Sequence, residues 1–496
     1  MMVHGAKRIL GLVAAGAAVV GAQGQTKVYG FADFRFSKSW VESNNLLIPE
    51  GYINSDANFY LGHVDPYIDW NPNENVRALV EMNLNPEAAV ANKAGTRLRL
   101  SQKGEAELRG ILTQSTIGQL MANGVPAGTA ATMAEPIVAG IMDGVKANSE
   151  IIAGQPAEKK RSKFFELVRA QMDLKVNDAV NVRFGRFLTP VGIWSVDHGS
   201  PVIMTVQQPY YVSTVPIFPQ VQEGAMLFGN KPIGDNDLSY SLYLSKGRED
   251  ADVGNNRIEN FDDLSLGGQA YIKVDALNGT RFGLSGYAGR ERKDDMWGDA
   301  PYEIGLLKDP AYSSMAPASL APALPYLRND TLFLDEINYS KTRVQDLREF
   351  CWGVDFKTSF GRFSLQGEMS GAYIKNDMVS GKSGSAFDYY LLASYDHPLN
   401  SSVTLSPYLF YEELTWKDQD QVPGWSLGLE GFPLDGFRTA SVGLNTTLWN
   451  NVHLKTEYAL VWLLPNPQSA HPIFRNKFTT DDLFSHSIQG QLAVAF

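Results

Sequence analysis

The sequence predicts an all-β fold: a transmembrane antiparallel β-barrel of sixteen strands, with eighteen as the open alternative. Three observations predict it. Segments of period-two alternation recur along the chain, short polar turns alternate with long loops, and the chain ends on an alternating strand whose last residue is Phe496. Alternation means strand, because successive side chains point to opposite faces. A soluble sandwich shows the same dyad in any one strand, so the weight lies in the number of strands and in the turns between them.

Taken in order, the N-terminus comes first. Lys7 and Arg8 precede ILGLVAAGAAVVG, an apolar run too short and too small in side-chain volume for a spanning helix, and Ala22-Gln23-Gly24 follows with small residues. Residues 1–24 are therefore expected to be a secretory signal peptide, and residues 25–496 the barrel. Losing Lys7 and Arg8 would move the formal charge from -11 to about -13, by subtracting two positive charges. Beyond residue 24 no stretch is apolar for the roughly 18 residues of a membrane helix, so strands must do any crossing.

The first strand, QTKVYGFADFRFS, sets Val28, Gly30, Ala32, Phe34 and Phe36 against Lys27, Tyr29, Asp33 and Arg35. NVRALVEMNLN opposes Val76, Ala78, Val80 and Met82 to Arg77 and Glu81. FSLQGEMSGAY opposes Phe363, Leu365 and Met369 to Gln366 and Glu368. NVHLKTEYALVW opposes Leu454, Tyr458 and Leu460 to Lys455 and Glu457. One face apolar and the other carrying full charges reads as lipid outside and water inside.

Strands are expected near 27–38, 57–70, 76–85, 163–174, 180–189, 220–230, 237–246, 264–274, 280–290, 347–358, 361–374, 386–396, 402–413, 436–448, 452–464 and 484–496. Short turns such as KVNDAVNV, DHPLNSSV and LWNNVHL each follow an even-numbered strand. That parity holds for a chain whose first strand leaves the periplasm. Long loops near 113–162, 190–218 and 293–346 fall on the other rim. TRLRLSQKGEAELRGIL is ambiguous: read as a hairpin, it raises the count to eighteen and keeps the parity. Part of the Ala/Gly-rich loop after it, Met133 to Ile152, reads as a short helix pair that enters the pore or covers its mouth.

Composition excludes several classes. Charged residues at 20% and aromatics at 11% do not describe a disordered chain, and a net charge of -11 does not describe a nucleic-acid surface. Cys351 is the single cysteine, so neither a disulfide framework nor a C-x-x-C-H haem attachment is present. No G-x-S-x-G element accompanies Ser195, Asp197, His198 and Ser200, and the histidines are scattered without ligand spacing. No catalysis, metal or cofactor is expected.

GRFLTPVGIWSVDHGSPVIMTVQQPYY, Gly185 to Tyr211, is the most distinctive segment. It resembles the strand-to-loop segment of the phosphate-selective porin O/P family and its broad relatives. The resemblance is sharp over about 163–230; elsewhere it rests on barrel pattern, length and closing strand. It implies an outer-membrane porin, usually sixteen-stranded and trimeric, whose inward-folded loops narrow the channel. The terminal aromatic Phe496 likewise resembles the signal read by the barrel-assembly machinery of Gram-negative bacteria. Phosphate itself is not implied, because the chain is acidic and has no Lys- or Arg-rich loop.

Residues 190–218 carry four prolines and many aromatics, with Asp197 and His198 as the only charged or titratable groups. A loop so poor in charge is expected to fold into the lumen, pack on the barrel wall or meet a neighbouring subunit. Arg35, Arg77, Arg169 and Arg183 are candidate inward bases, with Arg97 and Arg99 added only if their stretch is a strand, and Asp33, Glu81, Asp173, Glu368 and Glu457 are candidate inward acids. Arg186 is out of phase with Arg183, so one of the two is expected at a bulge or tipped into a loop. The loop around Val191 to Phe218, with Asp197 and His198 and with Arg183 or Arg186 near it, is expected to form the constriction. Either these charges pair across the wall and wet the channel, or the arginines form an anion-selecting eyelet.

The function expected is passive diffusion of small hydrophilic or ionic solutes. The alternative is a non-conducting barrel: a structural element, an adhesin, or a sheath for a partner electron-transfer protein. Partners expected are outer-membrane lipid, lipopolysaccharide, the assembly machinery through Phe496 and two further copies in a homotrimer, but not nucleic acid.

Overall fold

The computed structural model describes residues 25–43, 47–49, 58–84, 98–100, 102–122, 124–147, 165–196, 199–213, 216–248, 264–293, 345–376, 382–417, 434–465 and 483–496. The proposed signal peptide lies outside them. Sixteen strands form one closed antiparallel sheet. They are β1 (Gln25–Ser43), β2 (Asn58–Asn73), β3 (Val76–Leu84), β4 (Phe165–Lys175), β5 (Asn181–Leu188) and β6 (Val221–Ile233). Next come β7 (Asn236–Ser245), β8 (Ser265–Val274), β9 (Thr280–Lys293), β10 (Gln345–Phe360), β11 (Phe363–Asn376) and β12 (Lys382–Tyr395). The last four are β13 (Val403–Lys417), β14 (Leu434–Leu448), β15 (Val452–Pro465) and β16 (Leu483–Ala495). The short piece His397–Asn400 continues β12 beyond Asp396 and pairs with β13.

Each strand pairs with its sequence neighbour, and β1 pairs with β16 to close the ring, from Phe31 opposite Ala495 to Ser43 opposite Leu483. Phe496 extends the seam: its N–H donates to the Gly30 carbonyl and its carbonyl accepts the Gly30 N–H in return, both at 2.9 Å. A closed ladder leaves no strand edge for the bilayer to solvate. The outer surface is inverted relative to a soluble protein. Leu409 is 63% exposed, while its neighbours Tyr408 and Phe410 are 2% and 7% exposed. Leu284, Phe350, Val442 and Ile488 stand outside in the same way. An apolar belt of this extent on a closed barrel is a lipid-facing surface, and the chain is an outer-membrane type of transmembrane barrel. Among the described residues no helix is long and apolar enough to cross a membrane; the strands cross.

The eighteen-strand alternative is corrected. Among the described residues of the ambiguous segment only Leu98–Leu100 is strand, and it pairs with Leu47–Pro49 in a separate two-stranded sheet. Two helices come next in the chain: α1 (Gln102–Ala122) and α2 (Ala127–Ala147). Alternation in EAELRGIL was misleading, because Ala, Glu and Leu are strong helix formers and weak strand formers. The helix pair expected within Met133 to Ile152 is corrected: its described part, Met133 to Ala147, lies in the single helix α2, the other helix, α1, precedes that range, and residues 148–152 lie outside the described residues. Gly124, at φ 86°, ends α1, with its N–H on the Met121 carbonyl and that of Val125 on Leu120. Ala130, Ala134, Val138 and Met142 recur every four residues along one buried face of α2.

The largest buried cluster sits inside the barrel. Leu347, Cys351, Ile374, Ala386, Leu414, Trp416, Phe437 and Val461 point inward from the far halves of β10 to β15. Ile193, Trp194, Ile203, Tyr211, Ile217 and Phe218, all from the segment between β5 and β6, pack against this wall. The lumen is therefore not polar throughout: its apolar sector is where that segment docks.

Candidate functional site

The described residues between Thr189 and Gln220 form no strand, so their buried backbone groups need another source of hydrogen bonds. The wall supplies them with charges. Glu368 of β11 accepts the N–H groups of Ile193 (3.0 Å) and Trp194 (3.3 Å) and the hydroxyls of Tyr211 and Tyr390 (2.6 Å each). Glu457 of β15 accepts from Val206 N–H and Tyr408, and Glu412 of β13 from Tyr211 N–H. Carbonyls find cations instead. Lys455, fully buried, donates Nζ to the carbonyls of Ser200 (2.5 Å), Ile203 (2.7 Å) and Thr205 (3.2 Å). Arg248, just beyond β7, holds those of Pro216 and Ile217 and pairs with Glu349.

Further contacts complete the clasp. Gln269 of β8 and Arg281 of β9 both donate to the Gly192 carbonyl, at 2.8 and 2.7 Å. Gly192 itself lies at φ 55°, and a Cβ there would fall onto the Glu368 carboxylate. Only glycine meets both demands. Ser200 donates to Asp33 of β1, and Asn445 of β14 to the Met204 carbonyl. Tyr210 stacks on Phe437 and Tyr211 on Tyr390. Burial and the neighbouring Glu368 hold the Tyr211 hydroxyl well above the usual phenol range, so it stays a donor.

These hydrogen bonds draw the loop onto β1 and onto β8 to β15. The sector beyond it, β2 to β5 with β1 at its edge, carries four ion pairs: Arg35 with Asp33 at the edge of the loop, then Arg77 with Asp69, Arg169 with Glu81, and Arg183 with Asp173. In every pair the arginine is the more exposed partner and the carboxylate the more buried. The arginine side chains are 16–29% exposed, the acids 0–12%. Tyr67 adds a hydroxyl to Glu81 and a ring under Arg169.

Arg35, Arg77, Arg169, Arg183 and Glu81 thus stand together on one wall, and Glu368 stands opposite, under the loop. Arg186 does not join them. It shares the parity of the exposed Phe184, away from the lumen, and pairs with Glu223, which Lys246 also contacts. Arg99 falls in the separate two-stranded sheet, and Arg97, Asp197 and His198 lie outside the described residues. Sequence alternation placed Lys455 and Glu457 inward but not as anchors. The available signal was the loop's own lack of charge, which left its backbone to be satisfied by the wall. Among the described residues no group of three or more His, Cys, Asp or Glu side chains is arranged to hold a metal ion.

No family model matches the chain, and no curated protein matches it. Solved structures similar to it include the outer membrane channel DcaP of Acinetobacter baumannii, at 9% identity and TM-score 0.48 over 95% of this chain and 97% of that one. An anion-selective porin from Comamonas acidovorans matches at 10% identity and TM-score 0.46, over 95% of this chain and 100% of that one. OmpT of Vibrio cholerae matches at 8% identity and TM-score 0.44, over 96% and 98%. At these values the likenesses say nothing of solute or assembly, and the barrel rests on its own strand pairing.

Proposed function

We propose that the protein is an outer-membrane porin: a water-filled channel for passive diffusion of small hydrophilic or ionic solutes. The observation that carries this reading is the one-sided docking of the loop, which leaves the partly exposed side chains of Arg77, Arg169 and Arg183 on the wall beyond it, with Arg35 at the loop's edge. A wetted, charged passage conducts, whereas an apolar one dewets. Stepwise conductance of the refolded chain in planar bilayers is the expected result. Intact, folded protein that gives no steps is the non-conducting barrel instead.

Because each guanidinium is backed by a carboxylate, the wall has little net charge, and selectivity among ions is expected to be mild with a lean toward anions. Arg183→Glu places two acids together on the passage, and the reversal potential in a KCl gradient should move toward cations through the short-range field. Arg186→Glu, on the outer parity, should leave it in place. Equal shifts in both variants, or none in Arg183→Glu, would reject this assignment of the passage.

The resemblance over about 163–230 adds a trimer, with lipid and lipopolysaccharide around it and the assembly machinery engaging Phe496. Gly268, Ala270, Gly286 and Ala288 share outward parity on β8 and β9, where small side chains permit close approach of a second barrel. Cross-linking in intact membranes should then give a three-chain species; a single-chain species throughout rejects it.

A further inference from the structure

Buried carboxylates inside this barrel have side-chain cations beside them: Asp33 has Arg35, Glu81 has Arg169, Asp173 has Arg183, Glu349 has Arg248 and Asp355 has Arg281. Glu368, Asp388 and Glu412 face the lumen from three consecutive strands, β11, β12 and β13. Among the described residues none of the three has an ion-pair partner. Glu368 is satisfied by its four donors. Asp388 is not: it is 0% exposed, and neither of its carboxyl oxygens meets a hydrogen-bond donor.

The strand register shows what surrounds it. Ser370 of β11 lies directly opposite Asp388, and Thr439 of β14 directly opposite Glu412. Glu412 is the diagonal neighbour of Asp388, since Tyr390 pairs with Glu412 and Asp388 with Leu414, and the two carboxyl groups meet. Ser370 Oγ and Thr439 Oγ1 are also buried without a partner. A row of oxygens thus runs across four strands: hydroxyl, carboxyl, carboxyl, hydroxyl. Two facing carboxylates with no cation, one of them with no donor and the other with the Tyr211 N–H, cannot both stay charged in a closed interior. Something positive belongs between them.

The donor set selects its kind. All four groups are oxygen, two of them carboxylate, with no thiol or imidazole, which suits a hard cation and not a transition metal. The backbone here is strand, which fixes the side chains in a row and not in an octahedron. Calcium tolerates irregular oxygen shells, whereas magnesium demands near-ideal geometry. We propose that Asp388 and Glu412 bind one calcium ion between them, flanked by Ser370 and Thr439, and that this ion rivets the Tyr210–Tyr211 turn to the wall. Glu412 forms the link, since it also accepts the Tyr211 N–H. Two carboxylates balance the charge of the ion.

The test counts ions and does not depend on conduction, so its failure is separable from failure of the channel reading. Protein refolded without lipopolysaccharide, which carries divalent ions of its own, is loaded with calcium, gel-filtered in calcium-free buffer and assayed for the metal. One ion per chain is expected. Terbium in its place should luminesce when the nearby tyrosines are excited, and calcium should quench that signal by displacement. Asp388→Asn and Glu412→Gln should each weaken binding about tenfold or more, because ligand charge sets calcium affinity. Glu413→Gln, an outward neighbour paired with Arg438, should bind as the wild type does. Should the lumenal variants not fold, the ion count of the folded wild type decides alone. Folded wild type without bound calcium or terbium signal overturns the proposal and leaves the pair sharing a proton. Undiminished binding in folded Asp388→Asn and Glu412→Gln overturns it too.

Discussion

Glu368→Ala is expected to free the lumenal loop while the barrel stays closed. The substitution strips the acceptor from two backbone N–H groups and two tyrosine hydroxyls, all buried. An orphaned buried donor costs about 1–3 kcal/mol, and water entering the gap relieves part of this, so a loss on the order of 4 kcal/mol in loop docking is reasonable. Each 1.4 kcal/mol is about tenfold, which makes the docked-to-undocked ratio fall by roughly three orders of magnitude. The strands keep their ladders, so heat resistance of the folded band should change little. Conductance should rise, and residues between Thr189 and Gln220 should become open to protease added to intact protein. Glu368→Gln, which keeps the shape and one carbonyl acceptor, should fall between. A Glu368→Ala channel with wild-type conductance and a protected loop would show that the carboxylate is a bystander.

The same loop shows how far the sequence could be read. Sixteen strands, their parity and the lumenal face of Arg35, Arg77, Arg169 and Arg183 follow from a period of two, because a barrel buries and exposes alternate residues over its whole circumference. A helix inserted between strands breaks that logic. EAELRGIL fits period two and a helical period equally over so short a run, and propensity was the better guide there. The apolar sector of the lumen was also hidden. Leu414 and Trp416 alternate with outward residues like any other strand positions, and nothing local says that they join one cluster with Ile217 and Tyr210, some two hundred residues away. Glu368 and Glu81 look alike in sequence. Glu81 is backed by an arginine on a neighbouring strand and Glu368 by the backbone of a loop from across the barrel, which only the closed fold brings together.

Lys455→Met tests the opposite pole of the clasp. Lys455 donates to all three carbonyls of Ser200, Ile203 and Thr205, and methionine nearly preserves its volume. The packing therefore survives, while three buried acceptors lose a charged donor and the adjacent Glu457 loses its nearest cation on the strand. Hydrogen bonds to charged groups contribute about 1.5–3 kcal/mol each, and a net loss of about 3 kcal/mol is expected after water replaces some of them. The loosened part should be the turn from Gly199 to Val206, with the Ile193–Trp194 end still held by Glu368. Single-channel records should show added open-state noise, and limited proteolysis should cut first near that turn. Removing one lumenal positive charge should also move the reversal potential toward cations, by less than Arg183→Glu because Lys455 is sealed from water. The two poles hold one loop, so the Glu368→Gln/Lys455→Met double variant should lose less than the sum of the single losses: once one end is released, the other anchors little. Strict additivity, or a Lys455→Met loop as resistant to protease as the wild type, would mean that the two ends dock independently.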